Sequence, residues 1–316
     1  MAILHSDALV RSRRSARSRT MPHMDSPHGF TVRAGLERGY TAAELRSMAF
    51  TSPARGARIT AAIGDDGQAL FEAVRVLAVD DQFFSHSTAA RIHGMPLPAR
   101  LEAERRVHLA SPTGRARMER PGVVGHRLKS NTVEVDGLRV ESRPDVFVHL
   151  ATMLTVEELV MVGDWLVSPK RRAPLSVGDL TDALRRYNGA RGLHRARRAL
   201  SLVRVGAESP RETLVRLLVI GSLPEPTLQH EVFDASGTFI ARLDLSWPKL
   251  KLGVEYDGEH HTESEQRARD QVRLERLRAL GWHIITVTKH DLADGGMRLL
   301  AEITAAHRRF LAWTAA

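Results

Sequence analysis

The chain of 316 residues contains no cysteine, which excludes disulfide staples and every metal site built on thiolates and agrees with a reducing, cytoplasmic location. It also lacks an uncharged apolar run of the roughly 18 residues that a membrane helix needs. The most hydrophobic stretch, residues 146–167, is interrupted by His149, Glu157, Glu158 and Asp164, so no membrane partner is expected. Acids are short relative to bases: 37 Asp and Glu stand against 46 Lys and Arg, a formal net charge of +9. Such a balance favours a polyanionic partner, nucleic acid first. An arginine-rich composition is also what a GC-rich genome produces without any binding role. The length suits two or three domains, each with its own core.

Residues 1–29 contain Arg11, Arg13, Arg14, Arg17 and Arg19, with Asp7 the single acid up to that point, and have no apolar period, the pattern of a disordered basic tail. Residues 30–70 read as two short helices joined at Gly39, with Thr41 and Glu44 spaced as a capping box. That suits a helix-turn-helix whose Arg46, Arg55 and Arg58 meet phosphates, or equally a small helical cap on the next domain. Residues 71–204 form an α+β region. In it His86 and His93 stand seven apart on one predicted helix; with no third histidine or carboxylate close by in the sequence, the pair reads as packing. Short strands come next, with Asp136-Gly137 as a hairpin turn, and then helices, one opened by Thr155 and Glu158. Between Lys170 and Arg198 nine basic residues face only Asp179 and Asp182. Arg195, Arg197 and Arg198 are the candidate nucleic-acid contacts there, against a merely solvated helix face.

Residues 205–316 carry the chemistry. Ser209, Pro210 and Glu212 occupy the N-cap, first and third positions of a predicted helix, so Glu212 is a capping residue by local physics and a metal-facing carboxylate if the helix start abuts a site. Two apolar strands, 239–245 and 250–257, are separated by Trp247-Pro248, and Asp244 is expected to close the first. Glu255 and Asp257 lie two apart in the second, on one face. Carboxylates converging at strand ends repel unless a cation neutralises them, and hard oxygen ligands suit Mg²⁺ or Mn²⁺. Asp244, Glu255 and Asp257 are therefore the candidate metal ligands. His261 is a candidate acid or base, and Asp270 and Arg273 an ion pair or substrate contact. The predicted order is αβββαβ.

The series Glu212, Asp244, Glu255-x-Asp257-Gly258-x-x-His261 with Asp270-x-x-Arg273 resembles the very-short-patch-repair-like branch of the PD-(D/E)XK nucleases, over residues 206–296. The resemblance implies a restriction-endonuclease-like fold and Mg²⁺-dependent hydrolysis of DNA by Glu212, Asp244, Glu255, Asp257 and His261. It departs at Asp257, where the superfamily usually has the lysine that orients the attacking water. Residues 30–59 resemble the winged-helix segment of AbiEi-type antitoxins, and residues 84–94 resemble the segment next to the winged helix in that family. This implies a DNA-binding regulator or antitoxin with a cognate toxin, its nuclease fold without catalysis, as the rival function.

Overall fold

The computed structural model describes residues 29–61, 67–79, 81–258 and 264–314; the basic tail, His260 and His261 lie outside the described residues. The chain is a mixed α/β protein with three sheets. Strand β1 (Gly29–Thr31) leads into helix α1 (Val32–Glu37), and β2 (Phe50–Thr51) and β3 (Ala57–Thr60) complete a sheet of order β1-β3-β2. Thr41 and Glu44 form the expected reciprocal cap. The element they open is only a 3₁₀ turn, Glu44–Arg46, where the spacing had suggested a second helix. Helix α2 (Gly67–Arg75) packs on this sheet.

The middle region contains β4 (Phe83–Phe84), α3 (His86–Ile92), α4 (Ala99–Glu102), β5 (Val107–Ser111), β6 (Val123–Arg127), β7 (Thr132–Val135) and β8 (Leu138–Glu141), with the mixed order β6-β5-β4-β8-β7. The β7–β8 turn is Asp136-Gly137, both at positive φ and flanked by the pair Val135–Leu138, as the dipeptide predicts. Four helices come after it: α5 (Arg143–Leu150), α6 (Val156–Val167), α7 (Val177–Arg186) and α8 (Leu193–Leu202). Thr155 and Glu158 make the predicted capping box of α6. One large apolar core, from Phe71 through Phe84, Phe147 and Leu166 to Val203, joins sheet and helices.

The last 110 or so residues give α9 (Pro210–Val219), β9 (Thr227–Phe233), β10 (Phe239–Trp247), β11 (Leu252–Tyr256), α10 (Ser264–Ala279), β12 (His283–Val287) and α11 (Met297–Thr314). This is the predicted αβββαβ order with one helix added. The sheet runs β12-β11-β10-β9, with β11 and β12 parallel and the other pairs antiparallel. α9 and α11 cover one core, with Val215, Leu245, Val254 and Ile303; Leu277 of α10 packs with Leu243 and Trp282 in a second. The two halves of the chain are tied by a buried ion pair: Arg216 of α9 donates to Asp164 of α6 at 2.6 Å, and both side chains are at most 1% exposed. Among the described residues no helix is long and apolar enough to cross a membrane.

Candidate active site

Asp244 lies within β10, not at its end. Trp247 remains in the ladder opposite Leu252, and the chain reverses only through the 3₁₀ turn Pro248–Leu250 and Lys251 at φ +46. The β10–β11 ladder runs to Leu245–Val254, so Asp244 and Glu255 are the next opposed positions. Asp244 accepts the Tyr256 backbone N–H at 2.9 Å, which a ladder carbonyl would otherwise take.

On the other side β9 brings Gln229, between the pairs Leu243–His230 and Leu245–Leu228. Its φ is +50, a left-handed conformation uncommon for a residue with a Cβ. Its amide donates to Glu212 at 3.0 Å and also hydrogen-bonds Asp244. Glu212 accepts this bond and the Glu208 backbone N–H at 2.8 Å, while its own N–H donates to Ser209 Oγ at 3.2 Å. The cap of α9 is therefore not the reciprocal box that the spacing suggested: the Glu212 side chain serves Glu208 and Gln229.

Burial, then the neighbouring Glu212 and Glu255 charges, push the Asp244 carboxyl up to about 7. Burial likewise raises Glu212. Glu255 finds a cation within the chain: Arg273 of α10 grips both its oxygens, at 2.6 and 3.0 Å, which raises the Arg273 pKa. Arg273 Nε stands 3.7 Å from Asp270, so the predicted helix pair is secondary to a tie across the site.

Asp257 comes just after the end of β11 and is exposed. Its N–H donates to the Val287 carbonyl of β12 at 2.8 Å. Asp244, Glu255 and Glu212 come together; Asp257 is exposed beside them at the end of the strand, and His261 lies outside the described residues. Lys251 does not supply the missing lysine, because its ammonium donates to the Leu280 carbonyl at 2.7 Å. Sequence reasoning missed Gln229, whose only signal is a polar residue on an otherwise alternating strand, and the grip of Arg273 on Glu255.

The two or three carboxylates fit a hard dication of the Mg²⁺ type, which is bound by one or two carboxylates and keeps several waters. They do not form a closed cage. Among the described residues the one trio of His, Asp or Glu ligand atoms within 4.8 Å of one another is His86, His108 and His126.

Arg195, Arg197 and Arg198 are exposed on α8, whose Leu193, Ala196 and Ala199 face the core. Arg195 spends one N–H on the Ala151 carbonyl at 2.5 Å and Arg197 is 3.5 Å from Asn188 Oδ1. No protein-family profile and no solved structure matches the chain. It is similar to two uncharacterized proteins of Mycobacterium tuberculosis, from strains CDC 1551 and H37Rv, each 28% identical over 218 residues that cover 68% of this chain and 78% of theirs.

Proposed function

We propose that the protein is a Mg²⁺- or Mn²⁺-dependent endonuclease that hydrolyses phosphodiester bonds in DNA through its C-terminal αβββαβ domain, a restriction-endonuclease-like unit in this reading. The observation that carries it is the placement of Asp244 opposite Glu255 across two strands, with Gln229 bridging Asp244 and Glu212. A bound dication would supply charge stabilisation for the phosphoryl oxygens and a more acidic water. Asp244 and Glu255 would hold it with Glu212 at its edge, and Gln229 fixes the orientation of both Asp244 and Glu212. Arg273, which holds both Glu255 oxygens, would have to yield to a bound cation and would then be free to meet a phosphate. The basic surface outside the domain holds the nucleic-acid backbone.

With Mg²⁺ or Mn²⁺ the full chain is expected to cut or nick duplex, mismatched or single-stranded DNA. Asp244→Asn should lower that rate at least about 100-fold at an unchanged fold. A wild-type protein that cleaves neither DNA nor RNA with either ion would end the nuclease reading. A second expectation concerns binding. If α8 contacts phosphates, replacing Arg195, Arg197 and Arg198 by Ala should reduce the slope of log affinity against log salt by about 2 to 3, at roughly 0.9 per phosphate contact. An unchanged slope would move the contact elsewhere.

One observation favours the rival, a DNA-binding regulator or antitoxin-like protein whose nuclease fold no longer cuts. Both oxygens of Glu255 are held by Arg273, and an exposed Asp257 stands in the lysine position. In that case the DNA affinity and its salt slope remain, cleavage is absent, and a toxin partner is the thing to seek.

A further inference from the structure

The histidines of the middle region have no part in the nuclease reading. His86 opens α3, His108 lies in β5, His126 in β6 and His149 in α5, so four separate elements bring them to one side of the sheet. His126 Nε2 is 2.9 Å from His108 Nδ1. The His86 ring stacks on that of His126, with centroids 4.0 Å apart and planes 20° apart, and faces His149 at 5.6 Å. One ligand nitrogen from each of His86, His108 and His126 lies within 4.8 Å of the others. His86 and His108 are 6% and 4% exposed, while His126 on the sheet edge is half-buried. The edge strand β6 therefore gives a way in.

A core has an easier way to fill this space. Apolar side chains of similar volume need no polar partners, whereas every buried ring nitrogen needs one. Here that need is met incompletely. His108 Nε2 is 3.2 Å from Glu104 Oε2 but off line for a hydrogen bond, and it is buried. His86 is also held at φ +51, a conformation that persists in a non-glycine residue only where its surroundings fix it. Its backbone N–H donates to the buried Glu141 carboxylate at 3.1 Å, and its Nδ1 meets Ser85 Oγ at 3.1 Å, which leaves Nε2 as its open ligand atom. Burial, then the neighbouring imidazoles, holds His86 well below its usual pKa and takes His126 down to about 4. Burial lowers His108 as well. These shifts all favour the uncharged imidazole, which is the form that ligates metal.

We propose that His86, His108 and His126 bind one borderline transition-metal dication, Zn²⁺ as the reference ion, through three neutral imidazole nitrogens with a fourth position open. Nitrogen ligands select against Mg²⁺ and Ca²⁺ and for the zinc-like ions. The surroundings have the supporting parts of such a site. Glu104 Oε2, 3.2 Å from His108 Nε2, stands where a small turn of the ring would make a carboxylate–histidine–metal relay. Glu141, bonded to His149 Nδ1 and to the His86 backbone, fixes the start of the helix that carries His86. The site is chemically and spatially distinct from the carboxylates of β10 and β11, and stands whether or not those cleave DNA.

The test uses the full chain freed of metal by a chelator and then titrated with Zn²⁺ in the presence of excess Mg²⁺, which occupies oxygen sites. One equivalent is expected to bind and to raise the unfolding midpoint. Asp244→Asn should keep that equivalent, and His126→Ala should weaken it at least about 100-fold. His126 is the half-buried member, so its variant is the one most apt to fold. Should it fail to, Co²⁺ added to the wild-type chain decides: an intense visible ligand-field band marks a low-coordinate nitrogen site, and a weak octahedral spectrum overturns the proposal. No equivalent in the wild type, or an equivalent lost in Asp244→Asn and kept in His126→Ala, overturns it equally.

Discussion

With divalent metal chelated, the wild-type protein should be less stable than Asp244→Asn at pH 8, and the gap should close as the pH falls toward 4. Asp244 is held at about 7 in the folded state against an ordinary 3.8. A folded pKa raised in this way means that between those values the folded chain keeps a proton that the unfolded chain has released. Stability therefore falls with each step of pH in that window and changes no further above it. A displacement of about 3 units is worth on the order of 4 kcal/mol at its full extent. The Asn side chain carries no charge to crowd Glu212 and Glu255, so it escapes the loss. Saturating Mg²⁺ should restore the wild type by about 3 kcal/mol at 100 times its dissociation constant and leave Asp244→Asn unmoved. Urea unfolding of both proteins from pH 4 to 8, with chelator and with Mg²⁺, measures all of this. The comparison must be a difference, because His86, His108 and His126 have lowered pKa values and make stability rise with pH below their ordinary value of 6.5. Equal stability of the two proteins at pH 8 in chelator would mean that the carboxylates do not crowd one another.

Asp164→Ala or Arg216→Met should each cost about 3–5 kcal/mol, the effect expected when one partner of a buried pair is removed and the other keeps its charge. Asp164 accepts from Arg216 at 2.6 Å, from Thr213 Oγ1 at 2.9 Å and from the Arg204 backbone N–H at 2.7 Å. Burial raises its pKa despite these donors. Arg216 is less well served, for its Nε and Nη1 are buried without a hydrogen bond. The double replacement Asp164→Leu with Arg216→Met should therefore recover most of the loss, because an apolar pair of similar volume avoids the desolvation of both ions. Unfolding midpoints in urea separate these cases. A single-variant loss below about 1 kcal/mol would show that water reaches the pair.

The αβββαβ order was legible because each element is bounded by local chemistry: Pro210 after a serine cap, a glycine after α10, and alternating apolar strands. Asp244 and Glu255 were legible for the same reason, as charges on otherwise apolar runs. The strand limit at Asp244 was misplaced because the 3₁₀ turn packs Pro248 directly after a paired Trp247. Asp257 has the strand parity of Glu255 and its N–H still reaches the Val287 carbonyl at 2.8 Å, but it stands exposed one residue past the end of β11. Gln229 and Arg273 reach the site across the sheet and from a helix, contacts that spacing within one element cannot report. The histidine cluster is the clearest case. Its nearest pair in sequence among the three ring ligands is 18 residues apart, so His86 and His93 were the only two whose relation the sequence displayed. The structure sends them apart, His93 to the Glu141 carbonyl at 2.7 Å and His86 to the other rings.

The tie between α6 and α9 also joins elements that leave the ribosome at different times. Asp164 emerges 52 residues before Arg216, and the sheet and helices around it belong to the half of the chain synthesised first, which folds first. Until α9 emerges, that nascent half carries a carboxylate at the surface where its neighbour is still to dock. The contact that covers this carboxylate therefore also fixes the helix that bears Glu212 against the first half of the chain.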